Sequence, residues 1–187
     1  MDPPSFRFLF ETEFSYVWNT LRRLGVPERD VLDQAQEVFV VVHGLLPDYD
    51  ASRPVRPWLF AIAYRVACRY RSLSRNKHEL PSEDVPEEID PAPLGDEKIE
   101  ADEARALMLE AIEAIDLPRR GVFILAELEE QPVPEVAKAL QIPLNTAYSR
   151  LRLAREDFEK AATRLLARRR TAKRAADPDR SERQVQR

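Results

Sequence analysis

Glycine is scarce in this sequence, and the residue pairs that close tight β-hairpins are missing. Four glycines stand against fifteen prolines in 187 residues, and neither Asn-Gly nor Asp-Gly occurs. Two-residue hairpins depend on such pairs, and strand-like alternation is also rare, so an antiparallel β fold is disfavoured. Long apolar periodicities between the prolines instead predict an all-α fold whose helices are joined by stiff connections.

Cysteine and long apolar runs are equally scarce. Cys68 is the single cysteine of the chain and cannot close an intrachain disulfide. No apolar run approaches the roughly 20 residues that span a bilayer. The N-terminal Met-Asp-Pro-Pro also lacks the basic-then-apolar layout of a signal peptide. We therefore expect a cytoplasmic protein without membrane insertion.

Residue groups that carry catalysis or bind metals are missing as well. His43 and His78 are far apart, with no cysteine or second histidine at ligand spacing, so no metal site is expected. No glycine-rich phosphate loop and no nucleophile motif is present, and Cys68 is interpreted as a small, half-buried thiol. Asp33 and Glu37 lie one helical turn apart beside valines, which suits docking better than acid–base work. We expect no catalytic residue and no cofactor, and hence no enzyme.

Charge is segregated along the chain although the net charge is only −4. Residues 51–78 hold seven basic side chains and no acidic one, whereas residues 79–105 hold eleven acidic and two basic side chains. Residues 164–187 hold nine basic and three acidic side chains. The average alone would argue against a nucleic-acid binder, but these blocks indicate basic surfaces separated by an acidic connector.

The apolar pattern predicts two small helical domains joined by an acidic, proline-rich linker. Three amphipathic helices are expected at about 5–25, 28–46 and 55–76, which form a first domain over 1–78. Residues 79–98 carry four prolines and no periodicity, so they are the linker. Helical pattern resumes near Ile99 and defines a second domain over 99–167. The basic, weakly hydrophobic residues 168–187 are predicted to be a disordered tail.

Residues 134–155 have the pattern of a helix-turn-helix: a short helix, the turn at 141–143 and a long helix. Small Ala137 allows the two helices to cross closely, and Asn145 is a candidate N-cap. The outer face of the long helix carries side chains that can reach base edges, flanked by arginines suited to phosphates. An αα-hairpin with a solvated arginine face would show the same local pattern. Asn145, Tyr148, Ser149 and Arg152 form the outer face, with Arg150 and Arg155 beside it.

The second and third helices have features that folding alone does not require. The third has arginines on its exposed side and aromatics on an adjacent strip, which suits stacking of unpaired bases and tracking of phosphates. The alternative is a basic, solvated helix whose tyrosines complete the core. Residues 38–42 of the second helix are apolar on every side, which indicates either a strand or a helix that offers one face to a partner protein. The side chains in question are Phe60, Tyr64, Arg65, Arg69, Arg71 and Ser72 on the third helix, and Asp33, Gln36, Glu37 and Val40 on the second.

Three motifs, in order and at matching spacing, resemble the extracytoplasmic-function (ECF) sigma factors of bacterial RNA polymerase. Asp33-Gln34-Ala35-Gln36-Glu37-Val38-Phe39 is similar to the family's D-x-x-Q-E-x-F signature, and Arg56-Pro57-Trp58-Leu59-Phe60-Ala61-Ile62-Ala63 to its R-x-W-L-x-x-I-A segment. Residues 135–155 are similar to E-I-A … G-T-V-x-S-R-L-x-x-A-R. The resemblance spans roughly residues 8–166.

The resemblance implies a fold and a function. The first domain would be sigma region 2, which docks on the β′ clamp of core RNA polymerase and captures the melted minus-ten element of promoter DNA. The second would be the region 4 helix-turn-helix, which reads the minus-thirty-five element and touches the β flap. An anti-sigma factor is implied as a further partner, and the free protein is expected to be a monomer. The implied residues are Asp33, Gln36, Glu37 and Val40 for docking; Asp50, Arg53, Arg56, Trp58, Phe60, Tyr64, Arg65 and Arg69 for the minus-ten strand; and Asn145, Thr146, Tyr148, Ser149, Arg150, Arg152 and Arg155 for the minus-thirty-five element.

Some positions depart from the family pattern, and two rival functions stay open at this point. Asn145 replaces the usual glycine, Leu153 replaces a common arginine, and Pro132 stands where a capping serine is usual, so the promoter sequence is not implied. The first rival is a helix-turn-helix regulator that acts without polymerase. The second is a catalytically silent scaffold with no affinity for DNA.

Overall fold

The computed structural model describes residues 4–77 and 96–176, with side-chain surroundings for 4–73 and 104–171. Within these ranges the chain forms seven α-helices and no strand, which confirms the predicted all-α class. Residues 79–95 of the predicted linker and 177–187 of the predicted tail lie outside the described residues. The helices are α1 (Phe6–Arg23), α2 (Glu28–Leu45), α3 (Val55–Lys77), α4 (Asp96–Glu113), α5 (Leu117–Phe123), α6 (Val133–Leu140) and α7 (Leu144–Ala176).

Local signals explain where α1 begins and ends. Ser5 is its N-cap, and the Ser5 hydroxyl accepts a hydrogen bond from the Phe8 amide at 3.3 Å, which satisfies one free amide of the first turn. Gly25 follows the helix with φ of +85°. The Val26 amide then donates to the Leu21 carbonyl at 3.0 Å, the closing bond of a Schellman motif. A residue with a Cβ would be strained at this φ, so the sequence signal at Gly25 has a direct backbone cause.

The N-terminal helices α1, α2 and α3 pack against one another as a three-helix bundle. The apolar stripe of α3 is buried at Leu59, Ile62, Ala63, Val66 and Ala67, whereas Leu73, which the same periodicity places in the stripe, is 57% exposed. The possibility that 38–42 form a strand is wrong, because these residues continue α2, which carries the buried Val38, Phe39 and Val42. The short connection after α2 is a 3₁₀ turn at Leu46–Asp48.

The C-terminal helices pack around α7, which contacts α4, α5 and α6. After α5 the chain continues in a π-helical turn, Ile124–Leu128, closed by a hydrogen bond from the Glu129 amide to the Ile124 carbonyl at 3.0 Å. The helix-turn-helix is formed by α6, the turn at 141–143 and α7. Its expected inner side chains Val136, Ala137, Ala147, Leu151 and Ala154 are buried. Leu140 and Ile142, which were also expected to face inward, are half-buried.

Three boundaries differ from the prediction. Helix α4 begins at Asp96, so the last three residues of the predicted linker are helical. Helix α7 continues to Ala176, so the prediction of disorder is wrong for residues 168–176. Alanines and arginines there are good helix formers, and extension of an existing helix needs no new nucleation. Asn145 is not an N-cap, because α7 already begins at Leu144.

The two bundles share one hydrophobic core. Buried side chains of α1–α3 form a continuous cluster with buried side chains of α5, α6 and α7, including Val122, Val136 and Leu151. Helix α6 packs on α3, and α4 contacts α1. The sequence predicted two domains, and the structure adds that they lie against each other.

The turn of the helix-turn-helix generates a stability prediction. Gln141 has φ of +55° and ψ of +45°, a left-handed conformation that is unfavourable for a residue with a Cβ. Gln141→Gly should therefore raise the free energy of unfolding by about 1 kcal/mol, measured by urea denaturation. Glu159→Gly, at an exposed position inside α7, is the control and should lower it by about 1 kcal/mol. Destabilisation by both changes would contradict the assigned turn conformation.

Candidate polymerase and nucleic-acid interfaces

One face of α2 is exposed and carries both polar and apolar side chains. Asp33 and Gln36 are exposed, and Val40 keeps 68% of its surface open. Leu32, which the sequence analysis did not select, is 48% exposed on the same side. Its position, four residues before Gln36 and eight before Val40, was the signal that could have identified it. The α2 face (Leu32, Asp33, Gln36, Val40) thus combines open apolar groups with an unshielded carboxylate.

Glu37 borders the α2 face but is engaged by the neighbouring helix. Its carboxylate Oε1 lies 2.5 Å from Nη2 of Arg69 on α3. Both side chains are partly exposed, so this ion pair orients the two groups more than it stabilises the fold. A candidate docking residue and a candidate DNA-binding residue therefore restrain each other.

The loop between α2 and α3 is held by its own hydrogen bonds. Asp50 accepts from the Ser52 amide at 3.0 Å and from the Ser52 hydroxyl at 2.6 Å. These two hydrogen bonds, first of all the one from the hydroxyl, keep the pKa of Asp50 below its usual value. Arg53 pairs with the same carboxylate at 3.2 Å. The Tyr49 hydroxyl donates to the Arg53 carbonyl at 2.5 Å, so the loop is an ordered platform.

An aromatic pair stands at the base of this loop. The rings of Tyr49 and Trp58 have centroids 4.5 Å apart and are tilted by 34°. Trp58 is half-buried. A cleft of about 640 Å³ opens beside the pair, between the loop and α6. Besides Tyr49 and Trp58, its lining includes Asp50, Arg53 and Arg65 from the N-terminal bundle and Glu135, Lys138 and Gln141 from the helix-turn-helix.

Arg56, at the start of α3, has a structural role in this arrangement. Its Nε donates to Glu13 at 3.0 Å, and its guanidinium lies over the Tyr16 ring at 5.1 Å. The hydrogen bond that Arg56 donates to Glu13 is the main reason that the pKa of Arg56 is raised. Two side chains of α1 therefore fix Arg56 in place, and a DNA phosphate would have to compete with Glu13 for it.

The two aromatics predicted to stack on DNA bases from α3 are covered. Phe60 has 0% of its surface exposed, so in this structure its ring is not open to a base of the minus-ten strand. Tyr64 is half-buried, and burial raises the pKa of its hydroxyl. A Cβ built at Gly121 of α5 would lie 2.6 Å from Cε2 of the Tyr64 ring. The prediction assumed that only one side of α3 is buried. In the structure α5 also covers a second side of α3, at Tyr64.

The outer face of α7 is open to solvent where it begins. Asn145, Ser149 and Arg152 are exposed, and Tyr148 is 53% exposed. Thr146 and Arg150 are half-buried. The reading face (Asn145, Tyr148, Ser149, Arg152) matches the prediction for the helix-turn-helix in its position and in its exposure.

Two arginines of α7 are held by carboxylates. Arg152 lies 2.5 Å from Glu156, one turn further along the same helix. Arg155 makes hydrogen bonds of 3.0 and 2.6 Å to Glu127 of the π-helical turn. Both pairs are exposed and therefore weak, so a phosphate or a base can replace the carboxylate partners. They keep the long side chains extended near the reading face.

The histidine and the cysteine of the described residues are both packed against neighbouring side chains. They contain no cluster of three or more histidine, cysteine or acidic side chains that could hold an ion. The imidazole of His43 packs edge-on against Phe6, with ring centroids 5.1 Å apart. Cys68 is half-buried, and its burial raises the pKa of the thiol, which lowers the fraction of reactive thiolate. None of the described helices is long and apolar enough to span a membrane.

Comparison with known proteins identifies the family. The family model described as Sigma-70, region 4 matches residues 105–158. RNA polymerase sigma factor NccH of Alcaligenes xylosoxydans xylosoxydans is 30% identical over 137 residues, which cover 72% of this chain and 74% of that protein. The ECF RNA polymerase sigma-E factor of Escherichia coli K12 is 28% identical over 153 residues, which cover 76% of this chain and 79% of that protein.

The chain belongs to the ECF sigma factors. Solved structures of sigma factors share its fold. The structure of CnrH in complex with the cytosolic domain of CnrY superposes with a TM-score of 0.55 at 23% identity, covering 83% of this chain and 85% of that one. RpoE in complex with the anti-sigma factor NepR from Bartonella quintana superposes with a TM-score of 0.63 at 16% identity, covering 84% and 96%.

Membership of the family decides between the functions left open by the sequence. The sigma factor binds core RNA polymerase, recognises promoter elements and initiates transcription. The rival functions, a helix-turn-helix regulator acting without polymerase and a silent scaffold, are therefore set aside. Sigma factors are initiation factors and not a known class of enzyme.

The environment of Cys68 generates a prediction about its reactivity. Because burial raises the pKa of the thiol, the pH at which alkylation reaches half its maximal rate should be higher in the folded sigma factor than in the urea-unfolded chain. Iodoacetamide modification followed by mass spectrometry measures both profiles, and the unfolded chain is the internal control. A folded midpoint at or below the unfolded one would show that the thiol is activated.

Proposed function

We propose that the sigma factor docks on the β′ clamp of core polymerase through the α2 face. The exposure of Leu32 and Val40 beside the carboxylate of Asp33 supports this assignment, because open apolar groups rimmed by charge are typical of protein-binding surfaces. Gln36 and Glu37 extend the same surface. The single observation on which the proposal depends is the solvent exposure of Val40, an apolar residue that the bundle does not bury.

The minus-ten element is bound, in this proposal, by the loop after α2 and the adjoining part of α3. Trp58 and Tyr49 offer aromatic faces for an unpaired base, and Arg53 and Arg65 offer charges for the phosphates. Arg56 and Arg69 contribute after exchange of their carboxylate partners, and Asp50 holds the loop in shape. Capture of unpaired bases offsets a melting cost of a few kcal/mol, so opening needs no ATP.

The minus-thirty-five element is read by the reading face of α7. Arg152 and Asn145 are residue types that form bidentate contacts with guanine and adenine in the major groove. Thr146, Arg150 and Arg155 flank this face and suit phosphate contacts. We further propose that the same bundle, residues 96–167, touches the β flap, that an anti-sigma factor binds this chain, and that the free sigma factor is a cytoplasmic monomer.

The docking assignment is tested by reversing one charge. Asp33→Lys should abolish binding to core polymerase, because it places a cation at the centre of the α2 face without affecting any buried group. Binding is measured by native gel shift and run-off transcription, and circular dichroism reports the fold. Glu110→Lys on α4 makes the same charge change at an exposed position away from α2 and should bind normally. Unchanged polymerase binding by Asp33→Lys would refute the assignment.

The reading assignment is tested on upstream promoter DNA. Arg152→Ala should weaken binding by roughly 1–3 kcal/mol if its guanidinium makes a bidentate base contact. Arg7→Ala, which removes an exposed arginine also paired with a glutamate one turn away, is the matched control. Competition binding with and without the upstream element measures the effect. A loss below a few tenths of a kcal/mol would reject Arg152 as a base-reading residue.

A further inference from the structure

The π-helical turn Ile124–Leu128 is an unusual element whose backbone is held in several places. Besides the hydrogen bond that closes the turn, the Gln131 amide donates to the Leu125 carbonyl at 3.0 Å, and the Gln131 side chain donates to the Glu129 carbonyl at 3.0 Å. Glu130 lies in the left-handed region with φ of +53°. Turns of this kind are rare and are frequently found at functional sites. A strained residue persists only where its surroundings determine it, so the turn has a well-defined conformation.

The side of this turn that faces the core anchors it beside α7. Ile124 and Leu125 are buried, and the ring of Phe123, immediately before them, packs against Phe158 of α7 with centroids 5.1 Å apart. The outer side of the turn carries Glu127, which is open to solvent. A carboxylate on such a rigid base can hold a partner on α7 in one orientation.

Glu127 binds one edge of the Arg155 guanidinium. Oε1 of Glu127 accepts hydrogen bonds from Nε and from Nη2 of Arg155, at 3.0 and 2.6 Å. A guanidinium has five N–H donors in a planar fork, so three of them, on Nη1 and on the outer side of Nη2, are not used by these two bonds. The edge between Nη1 and Nη2 presents two parallel N–H groups, an arrangement that matches two oxygens of a phosphate.

This second edge of Arg155 lies beside the reading face. Arg155 follows Arg152 by three residues and Tyr148 by seven, which is about one and about two turns of helix. The three side chains therefore share one side of α7, and all three are exposed. When a recognition helix enters the major groove, contacts to the flanking phosphates fix its register on the duplex. The place of Arg155 at the rim of the reading face suits such a contact.

The ion pair of Arg155 differs from that of Arg152 in what it joins. Glu156, the partner of Arg152, belongs to the same helix, whereas Glu127 lies 28 positions before Arg155 on a separate element. Exposed pairs of either kind add little to the stability of the fold. A pair between two elements, however, restricts the rotamers of the long arginine side chain before DNA arrives. A side chain that is already restricted loses less conformational entropy on binding.

We propose that Glu127 is a positioning residue for the contact between the sigma factor and duplex promoter DNA. It holds the Nε–Nη2 edge of Arg155 and so presents the opposite edge to a phosphate beside the minus-thirty-five element. Because the phosphate uses the free edge, it does not need to displace Glu127, and Glu127 itself does not touch the DNA. The inference rests on the proposed reading of duplex DNA by α7, and it adds to that function a residue outside the helix-turn-helix.

The positioning role is tested by removing first the whole carboxylate and then only its charge. Glu127→Ala should weaken binding of the full chain to a duplex carrying the upstream promoter element by roughly fivefold, because Arg155 is no longer held. Glu127→Gln should keep the affinity within about twofold, because the amide oxygen can accept the same hydrogen bonds. Competition binding measures both variants, and circular dichroism reports the fold. Unchanged or stronger binding by Glu127→Ala would overturn the proposal, since a carboxylate that only repels phosphates gives that result.

Glu11→Ala is the matched control for the loss of one carboxylate. Glu11 is exposed and pairs with Arg7, one turn away on α1, at 2.9 Å. The variant therefore breaks an exposed glutamate–arginine pair and changes the net charge by the same amount as Glu127→Ala, but on a different helix. It should bind the duplex as the unmodified sigma factor does. A comparable loss in this control would show that the effect of Glu127→Ala does not arise from Arg155, against the proposal.

A double-mutant cycle with salt titration separates positioning from damage to the turn. Arg155→Ala should lower the slope of log K against log salt concentration by about 0.9, because one phosphate contact is lost, whereas Glu127→Ala should leave the slope unchanged. In the Arg155→Ala background, Glu127→Ala should cause no further loss of affinity. An equal loss in both backgrounds would refute the positioning role and leave the contact of Arg155 in place. If Arg155→Ala changes neither the affinity nor the slope, the phosphate contact proposed for Arg155 is wrong, and the role of Glu127 fails with it.

Discussion

Helix α3 is buried on two sides, and the arrangement of the rest of the molecule depends on this. Its regular stripe, including Leu59 and Ile62, closes the N-terminal bundle, and Tyr64 on a second side lies against Gly121 of α5. Burial of this second side removes further apolar area from water, at about 25 cal/mol per Å². One helix thus belongs to both bundles, which explains why their buried side chains form a continuous cluster.

Apolar and polar contacts both hold the two bundles together. The apolar area around Tyr64 and Gly121 lies between α3 and α5, and the buried guanidinium of Arg120 donates to the Ile115 and Glu113 carbonyls. The ion pair between Arg23 and Glu129 contributes modestly, because both side chains retain access to solvent.

The surfaces assigned to function carry exposed apolar side chains and exposed ion pairs that the folded core does not require. Helix α2 leaves Leu32 and Val40 exposed to solvent, because its buried face is already formed by Val31, Ala35 and Val38. The arginines of the candidate DNA surface on α7 are paired with exposed, exchangeable carboxylates, as Arg152 is with Glu156. Such groups add little to stability, and their exposure is what makes them available to a partner.

The sequence by itself determined where most helices lie and which side chains of α2 and α7 are exposed. The positions of the three N-terminal helices and of the helix-turn-helix, and the exposed residues of α2 and α7, follow from local periodicity, capping and turn signals, because those forces act within a few residues. The alanines and arginines of residues 168–176 favour a helix and could have predicted the continuation to Ala176. The prediction of disorder instead gave more weight to the low hydrophobicity of this segment.

Only the tertiary structure decided which aromatic side chains are open and how the bundles lie. Phe60 and Trp58 are both aromatics of α3 and have similar sequence surroundings, yet one is fully buried and the other borders a cleft. The difference arises from tertiary packing, and the periodicity of α3 contains no information about it. The same holds for Arg120, whose charge predicts exposure until the ends of α4 and α1 surround it.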